Sequence, residues 1–171
     1  KKGGYFIGTC YDGMKLFKRL NNEKNNHLEM IDEFGNKVYS ITKKYELDDF
    51  SYNKDDKESL FGQEIDVYMS SIGQTIPEYL VNYEMLIDIM SEYNLQLKKI
   101  DGKGFFDNKD YQYINGLGGF ELILKQLSSL QSKDKSLKTF YPESLELLKE
   151  KNKLLIDLSS LNNWFIFQKI D

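Results

Sequence analysis

The chain has 171 residues, 40% hydrophobic and 14% aromatic, which is enough for a packed core in one ordinary domain or part of a larger one and excludes a disordered tail. Acidic residues outnumber basic ones 27 to 23, for a formal net charge of −4, so a basic surface that coats nucleic acid wholesale is excluded, while a local basic groove beside a small nucleotide pocket is not. Cys10 is the one cysteine, which excludes an internal disulfide and makes a reducing cytosol the default, and no apolar run reaches the ~18 residues that a membrane span needs.

In chain order, Lys1-Lys2-Gly3-Gly4 leads into Tyr5-Phe6-Ile7-Gly8-Thr9-Cys10, an apolar run that reads as a buried strand. A lone cysteine in such a run is a small core residue before it is a nucleophile. Asp12 is placed to cap a helix over 13–20. Residues 21–36 are polar and Asn-rich and read as a loop. His27 lies there without companions at ligand spacing, so it reads as a surface residue rather than a metal ligand or a catalytic base. Phe34-Gly35-Asn36-Lys37 is a turn signal, 38–45 alternates as a strand, and the acidic stretch 47–59 reads as a mobile connection.

The next stretch organises the chain. Ile65, Val67 and Met69 alternate with Asp66, Tyr68 and Ser70, the period of a half-buried strand placed at 64–72. Gly73 breaks the run. Pro77 suits the first position of a helix, because its missing N–H is unpaired there anyway. Glu78 then falls in the first helical turn, where spacing alone favours a solvated acid interacting with the helix dipole over a fixed acceptor at a pocket mouth.

A helix over 79–93 follows, with Leu80, Tyr83, Ile87 and Met90 at three- or four-residue steps and Tyr93-Asn94 closing it. A strand over 95–100 and a turn at Asp101-Gly102-Lys103-Gly104 come next, and Phe105-Phe106 re-enter the core. Tyr111-Gln112-Tyr113-Ile114 is ambiguous. Asn115-Gly116-Leu117-Gly118-Gly119 lacks the Lys-Ser/Thr pair and the spacing of a phosphate loop, and reads as a flexible helix entry. Phe120, Ile123, Leu124, Leu127 and Leu130 mark a helical face, a second helix is placed at 142–156, and 164–167 is a buried strand by composition.

Three of these stretches together resemble mRNA cap guanine-N7 methyltransferases. Gly3 through Thr9 repeats that family's Pro-Gly-Gly-Tyr-Phe-Ile-Gly-Thr segment without its proline. Asp12-Gly13-Met14-Lys15-Leu16 looks most like the methyltransferase domains of large DNA virus capping enzymes. Phe61-Gly62, the strand, and Pro77-Glu78-Tyr79-Leu80-Val81 match the family's Phe-Gly, strand, Pro-Glu-Phe-Leu-Val, and Phe167-Gln168-Lys169 matches its closing strand. The likeness covers 3–101 and 159–169; residues 102–158 match only in being helical and variable.

The resemblance implies an α/β fold, the carboxyl-terminal half of a Rossmann-like class I methyltransferase with a mixed, mostly parallel sheet. It implies S-adenosylmethionine as cofactor, bound by an upstream half that precedes Lys1, and transfer of its methyl to N7 of the cap guanine, with no residue catalytic by direct chemistry and no metal. The implied partners are the capped RNA 5′ end, that upstream half, and RNA guanylyltransferase and triphosphatase modules, with no membrane; the implied place is the cytoplasm, a viral factory or virion, or the nucleus of a cell. Glu78 corresponds to the family's acceptor for the guanine Watson–Crick edge, and an ionised carboxylate has the two acceptor oxygens that N1–H and the 2-amino group require. Tyr11 stands where cellular members tend to have proline beside the cap; it offers an aromatic face to the guanine or simply packs. Asn162 stands where a cap-touching tyrosine is expected, so either the register slips or the contact is changed. Two other readings stay open: a non-catalytic stimulatory subunit in a capping complex, and a related methyltransferase with another substrate.

Overall fold

The structure, a computed structural model, describes residues 1–101, 113–120 and 153–171. They form two compact units, one of residues 1–10 and 89–171 and the other of residues 11–88.

The first unit is built on strand β10 (Asn162–Lys169), which pairs antiparallel with β6 (Leu95–Leu97) and β9 (Leu117–Gly119) along successive stretches and also neighbours β1 (Tyr5–Tyr11). Alternation along β10 buries Phe165 and Phe167. A helix of Lys153–Ser159 precedes it, and β7 (Lys99–Asp101) pairs antiparallel with β8 (Tyr113–Asn115). The strand expected at 95–100 is thus two short strands. The run at the start is a strand, as its composition requires, but it is not buried: Tyr5, Phe6 and Ile7 are 57%, 44% and 66% exposed.

The segment 115–119 is not a flexible entry, although Phe120, directly after it, is helical. It is strand backbone pressed against β10, and a Cβ on Gly116 would lie 2.3 Å from the Ile166 carbonyl oxygen. Its glycines serve close approach rather than flexibility. Phe105-Phe106, the turn at 101–104 beyond Asp101, and most of the helices placed at 120–130 and 142–156 lie outside the described residues; within them, helix Lys153–Ser159 carries the second one past its expected end.

The second unit is a four-stranded sheet in the order β2 (His27–Ile31), β3 (Lys37–Lys43), β4 (Glu64–Met69), β5 (Gln74–Tyr79), antiparallel throughout. Every strand pair with a described register, in both units, is antiparallel, so the mostly parallel sheet is not what these residues build. The architecture is mixed α/β with antiparallel sheets. Residues 27–31 are a strand rather than loop: they extend the sheet by pairing with β3, and Leu28 is buried.

Helix α1 (Gly13–Asn22) begins where Asp12 accepts a hydrogen bond from the Lys15 N–H at 3.0 Å, and it buries Leu16, Phe17 and Leu20. The Phe17 ring stacks on both Tyr45 and Phe50, with centroids 5.4 Å apart in each case. The connection 47–59 is therefore anchored, not mobile: Phe50 is fully buried, and a 3₁₀ segment (Lys54–Leu60) ends in buried Leu60.

Residues 77 and 78 are not a helix start either. Gly73, at φ +74°, closes a tight turn after β4, and the chain returns as β5. The Leu80 N–H donates to the Gln63 carbonyl, so alternation turns the Pro77 nitrogen to the outer side of the ladder, where a missing N–H costs no bond. The helix begins later, as α2 (Tyr83–Glu92), capped by Asn82, whose Oδ1 accepts from the N–H groups of Glu84 and Met85 at 3.0 and 3.1 Å. Asn94, at φ 57°, follows its end.

Candidate functional site

Strand register decides where Glu78 points. It stands opposite Ile65, which stands opposite Lys43; in the same way Ile76 faces Val67 and Val67 faces Ile41. Directly paired residues of an antiparallel sheet project to one side. Glu78 therefore shares the face of Ile41, Ile65, Val67 and Tyr39, all of them buried. A carboxylate at the margin of an apolar face loses part of its water, and burial raises the Glu78 pKa above its ordinary value. Among the described residues no hydrogen bond or ion pair engages this carboxylate. The residue is half-buried, and among the described residues its two acceptor oxygens are unused.

The same unit holds a second polar feature. The hydroxyls of Tyr11 and Tyr39 are 2.7 Å apart and bonded to each other, with the two residues 7% and 2% exposed. Tyr11 is fixed by its position one residue before the Asp12 cap, and Tyr39 by β3, which has partners on both sides. Burial, above all, raises the pKa of both phenols. For Tyr11 the bond to Tyr39 opposes that rise and the charge of Glu78 adds to it; for Tyr39 the bond to Tyr11 and the charges of Tyr11 and Glu78 add to it, against the charge of Arg19. What the register itself gives is that Glu78 and Tyr39 lie on one face of the same sheet.

Two of these residues, Glu78 and Tyr11, are singled out by the sequence. Tyr39 is not, because it sits in ordinary alternation with Ile41 and its partner is 28 residues away. Asn162 belongs to the other unit: half-buried at the first position of β10, it donates from Nδ2 to the Leu158 carbonyl at 3.4 Å. His27 bonds Thr42 Oγ1 through Nδ1 at 2.8 Å, a cross-strand contact, and among the described residues no group of three or more His, Cys, Asp or Glu could hold a metal.

Residues 1–140 match the family described as mRNA (guanine-N(7))-methyltransferase domain. The chain belongs to this family. It is 30% identical over 97 residues to the mRNA cap guanine-N(7) methyltransferase of Cryptococcus neoformans, a match covering 57% of this chain and 14% of that protein. The proteins of the same name from Candida glabrata and Saccharomyces cerevisiae are each 32% identical, over 97 and 99 residues, with 57% of this chain and 22% and 21% of theirs covered. The chain spans less than a quarter of the length of these curated relatives.

Methyltransferases of this kind imply a methyl donor, and the described residues do not fit one. A donor of the S-adenosylmethionine type needs a glycine-rich turn at a strand end that leaves backbone open to the ligand. The glycine-rich stretch described here, 115–119, has its backbone filled by β10 and the Trp164 ring.

Proposed function

We propose that this chain supplies the guanine-binding part of an mRNA cap guanine-N7 methyltransferase that takes its methyl group from S-adenosylmethionine. The observation that carries the reading is Glu78: a half-buried carboxylate, fixed by strand register, with both oxygens unused among the described residues. Two adjacent acceptors suit the N1–H and 2-amino donors of guanine, and charge-assisted hydrogen bonds of this type are among the stronger ones.

Guanine held by its Watson–Crick edge keeps N7, on the opposite side of the base, free to react. N7 is nucleophilic without a base, so the protein's task is orientation, an effect that reaches about 7–11 kcal/mol in favourable intramolecular systems. Glu78 is the orienting residue and Tyr11, in the same unit, a further candidate contact; Asn162, in the other unit, stands where the family pattern has a cap-touching tyrosine. S-adenosylmethionine, when bound, supplies an electrophilic methyl.

Its site lies, in this reading, in an upstream half of a Rossmann-like class I domain of which this chain is the carboxyl-terminal part. The exposed Tyr5, Phe6 and Ile7 on β1, a strand with one described neighbour, support that reading, since a further part of the same domain would cover them. RNA guanylyltransferase and triphosphatase modules are the partners such a polypeptide would keep.

The test is transfer of labelled methyl from S-adenosylmethionine to GpppA-capped RNA by the intact polypeptide and by its Glu78→Ala form. Transfer by the parent and its loss in the variant support the reading. Absence of transfer by the intact parent moves the assignment to a stimulatory, non-catalytic role in a capping complex.

A further inference from the structure

Glu78 is the second-to-last residue of β5, and β5 is an outer strand of its sheet among the described residues. The end of such a strand frays at little cost, because it is paired on one side only. A half-buried carboxylate adds to that tendency, since opening returns it to water. A side chain at this place stays where it is needed only if the strand end is fastened.

The three residues after β5 are each tied to a different part of the unit. The Leu80 N–H donates to the Gln63 carbonyl at 2.9 Å, which continues the ladder beyond β4. The Val81 carbonyl accepts from the Gly13 N–H, at the start of α1, at 3.2 Å, and a Cβ on Gly13 would lie 2.3 Å from that oxygen. Asn82 donates through Nδ2 to the Phe50 carbonyl at 2.7 Å, and its Oδ1 accepts from the first N–H groups of α2. The first two ties are backbone to backbone. The third is made by a side chain, 32 residues across the sequence, with Asn82 2% exposed and Phe50 fully buried.

We propose that Asn82 is a positioning residue for Glu78: its amide closes a clasp that keeps the end of β5 from fraying and so holds the carboxylate in the geometry that the base requires. The functional half of the proposal rests on the guanine reading of Glu78; the clasp is tested without it.

The experiment compares the intact polypeptide with its Asn82→Ser form. Serine keeps an oxygen that caps α2 but is too short to reach the Phe50 carbonyl as well. Register turns the N–H groups of Glu78 and Leu80 toward β4. In the wild-type protein these two amides should exchange with solvent as slowly as those of the inner β3–β4 ladder. In Asn82→Ser they should exchange about tenfold faster, the worth of one hydrogen bond, while the β3–β4 amides hold. The KM for GpppA-capped RNA should rise by about tenfold, because the competent arrangement is less populated, with kcat at saturating cap and the KM for S-adenosylmethionine unchanged. In a Glu78→Gln background the same substitution should add little, since the clasp acts through Glu78.

Unchanged exchange at Glu78 and Leu80 in the variant overturns the proposal, as does rapid exchange there in the wild-type protein, which requires no variant to fold. A lower kcat at unchanged KM, or a rise in the KM for S-adenosylmethionine alongside that for the cap, assigns Asn82 a merely structural role and also overturns it. So does a full effect of Asn82→Ser in the Glu78→Gln protein. Failure of the guanine reading itself shows differently: wild-type protein and Glu78→Gln then treat guanine and hypoxanthine caps alike, whatever the exchange rates.

Discussion

The side chain of Asn82 binds the carbonyl oxygen of Phe50, 32 residues earlier, at 2.7 Å through Nδ2, while its Oδ1 caps helix α2. Asn82 is 2% exposed and Phe50 fully buried, so one amide ties the long connection between β3 and β4 to the helix that follows β5. Asn82→Ala removes a cap and leaves a buried carbonyl without its donor, a loss of about 2–4 kcal/mol. Asn82→Asp keeps the capping acceptor but turns a carboxylate oxygen toward the Phe50 carbonyl in a buried site, and should cost at least as much. Chemical denaturation midpoints of the three proteins check the order.

Glu78→Ala removes both acceptors from the proposed guanine site. Two charge-assisted hydrogen bonds make the expected loss in kcat/KM for capped RNA on the order of 10- to 100-fold or more. The KM for S-adenosylmethionine should hold, and folding stability should be unchanged or slightly raised, because a partly buried, unpaired carboxylate is disfavoured in the folded chain. Steady-state kinetics with each substrate varied in turn, together with a thermal melt, test both halves.

The raised pKa of Glu78 gives two opposite pH dependences. Burial raises it in the folded chain, so the folded state binds the proton more tightly than the unfolded state does. The contribution of this group to stability is therefore greatest at low pH and is lost as pH rises from the ordinary carboxylate range through the raised value. The proposed cap recognition runs the other way, since it needs the ionised form, and should weaken as pH falls, beginning at a higher pH than an ordinary glutamate would give. The acid limb in kcat/KM for capped RNA should be missing in Glu78→Gln, whatever that variant's residual activity.

Gly116→Ala should be among the more damaging single-methyl changes in the first unit. Its Cβ would meet the Ile166 carbonyl at 2.3 Å and the Lys98 backbone at 2.9 and 3.0 Å, atoms that cannot swing aside. Separating β10 from its neighbours to make room costs about 1–3 kcal/mol, as overpacking does elsewhere. Gly118→Ala meets the Trp164 ring at 2.8 Å, a side chain with more freedom, and should cost less. Thermal unfolding of the two variants ranks them.

What was legible in the sequence was local. Asp12 announces α1 because a cap and an apolar face lie within one short window, and the alternation of Ile65, Val67 and Met69 declares β4 the same way. Pro77 misleads for a physical reason. A residue without N–H fits the first turn of a helix and the outer side of an edge strand equally well, and only register tells them apart. The true helix signal, Asn82, stood five residues on. Glu78 was found through its resemblance to a family pattern, yet its orientation on the buried face comes from pairing with Ile65, which no local rule supplies. Tyr39 was invisible because a tyrosine alternating with isoleucine is ordinary core, and its meaning lies in a hydroxyl contributed by another strand. β2 is illegible in the sequence because Glu29 and its Asn-rich approach hide two-residue alternation.

Pro77 has one more effect. β5 ends its sheet among the described residues, and an open strand edge invites pairing with any extended chain that drifts past. With a ring where a donor would stand, that edge offers an interrupted template, one residue from Glu78. The strand thereby carries, beside Glu78, a guard against fibril-like association with other copies of the chain.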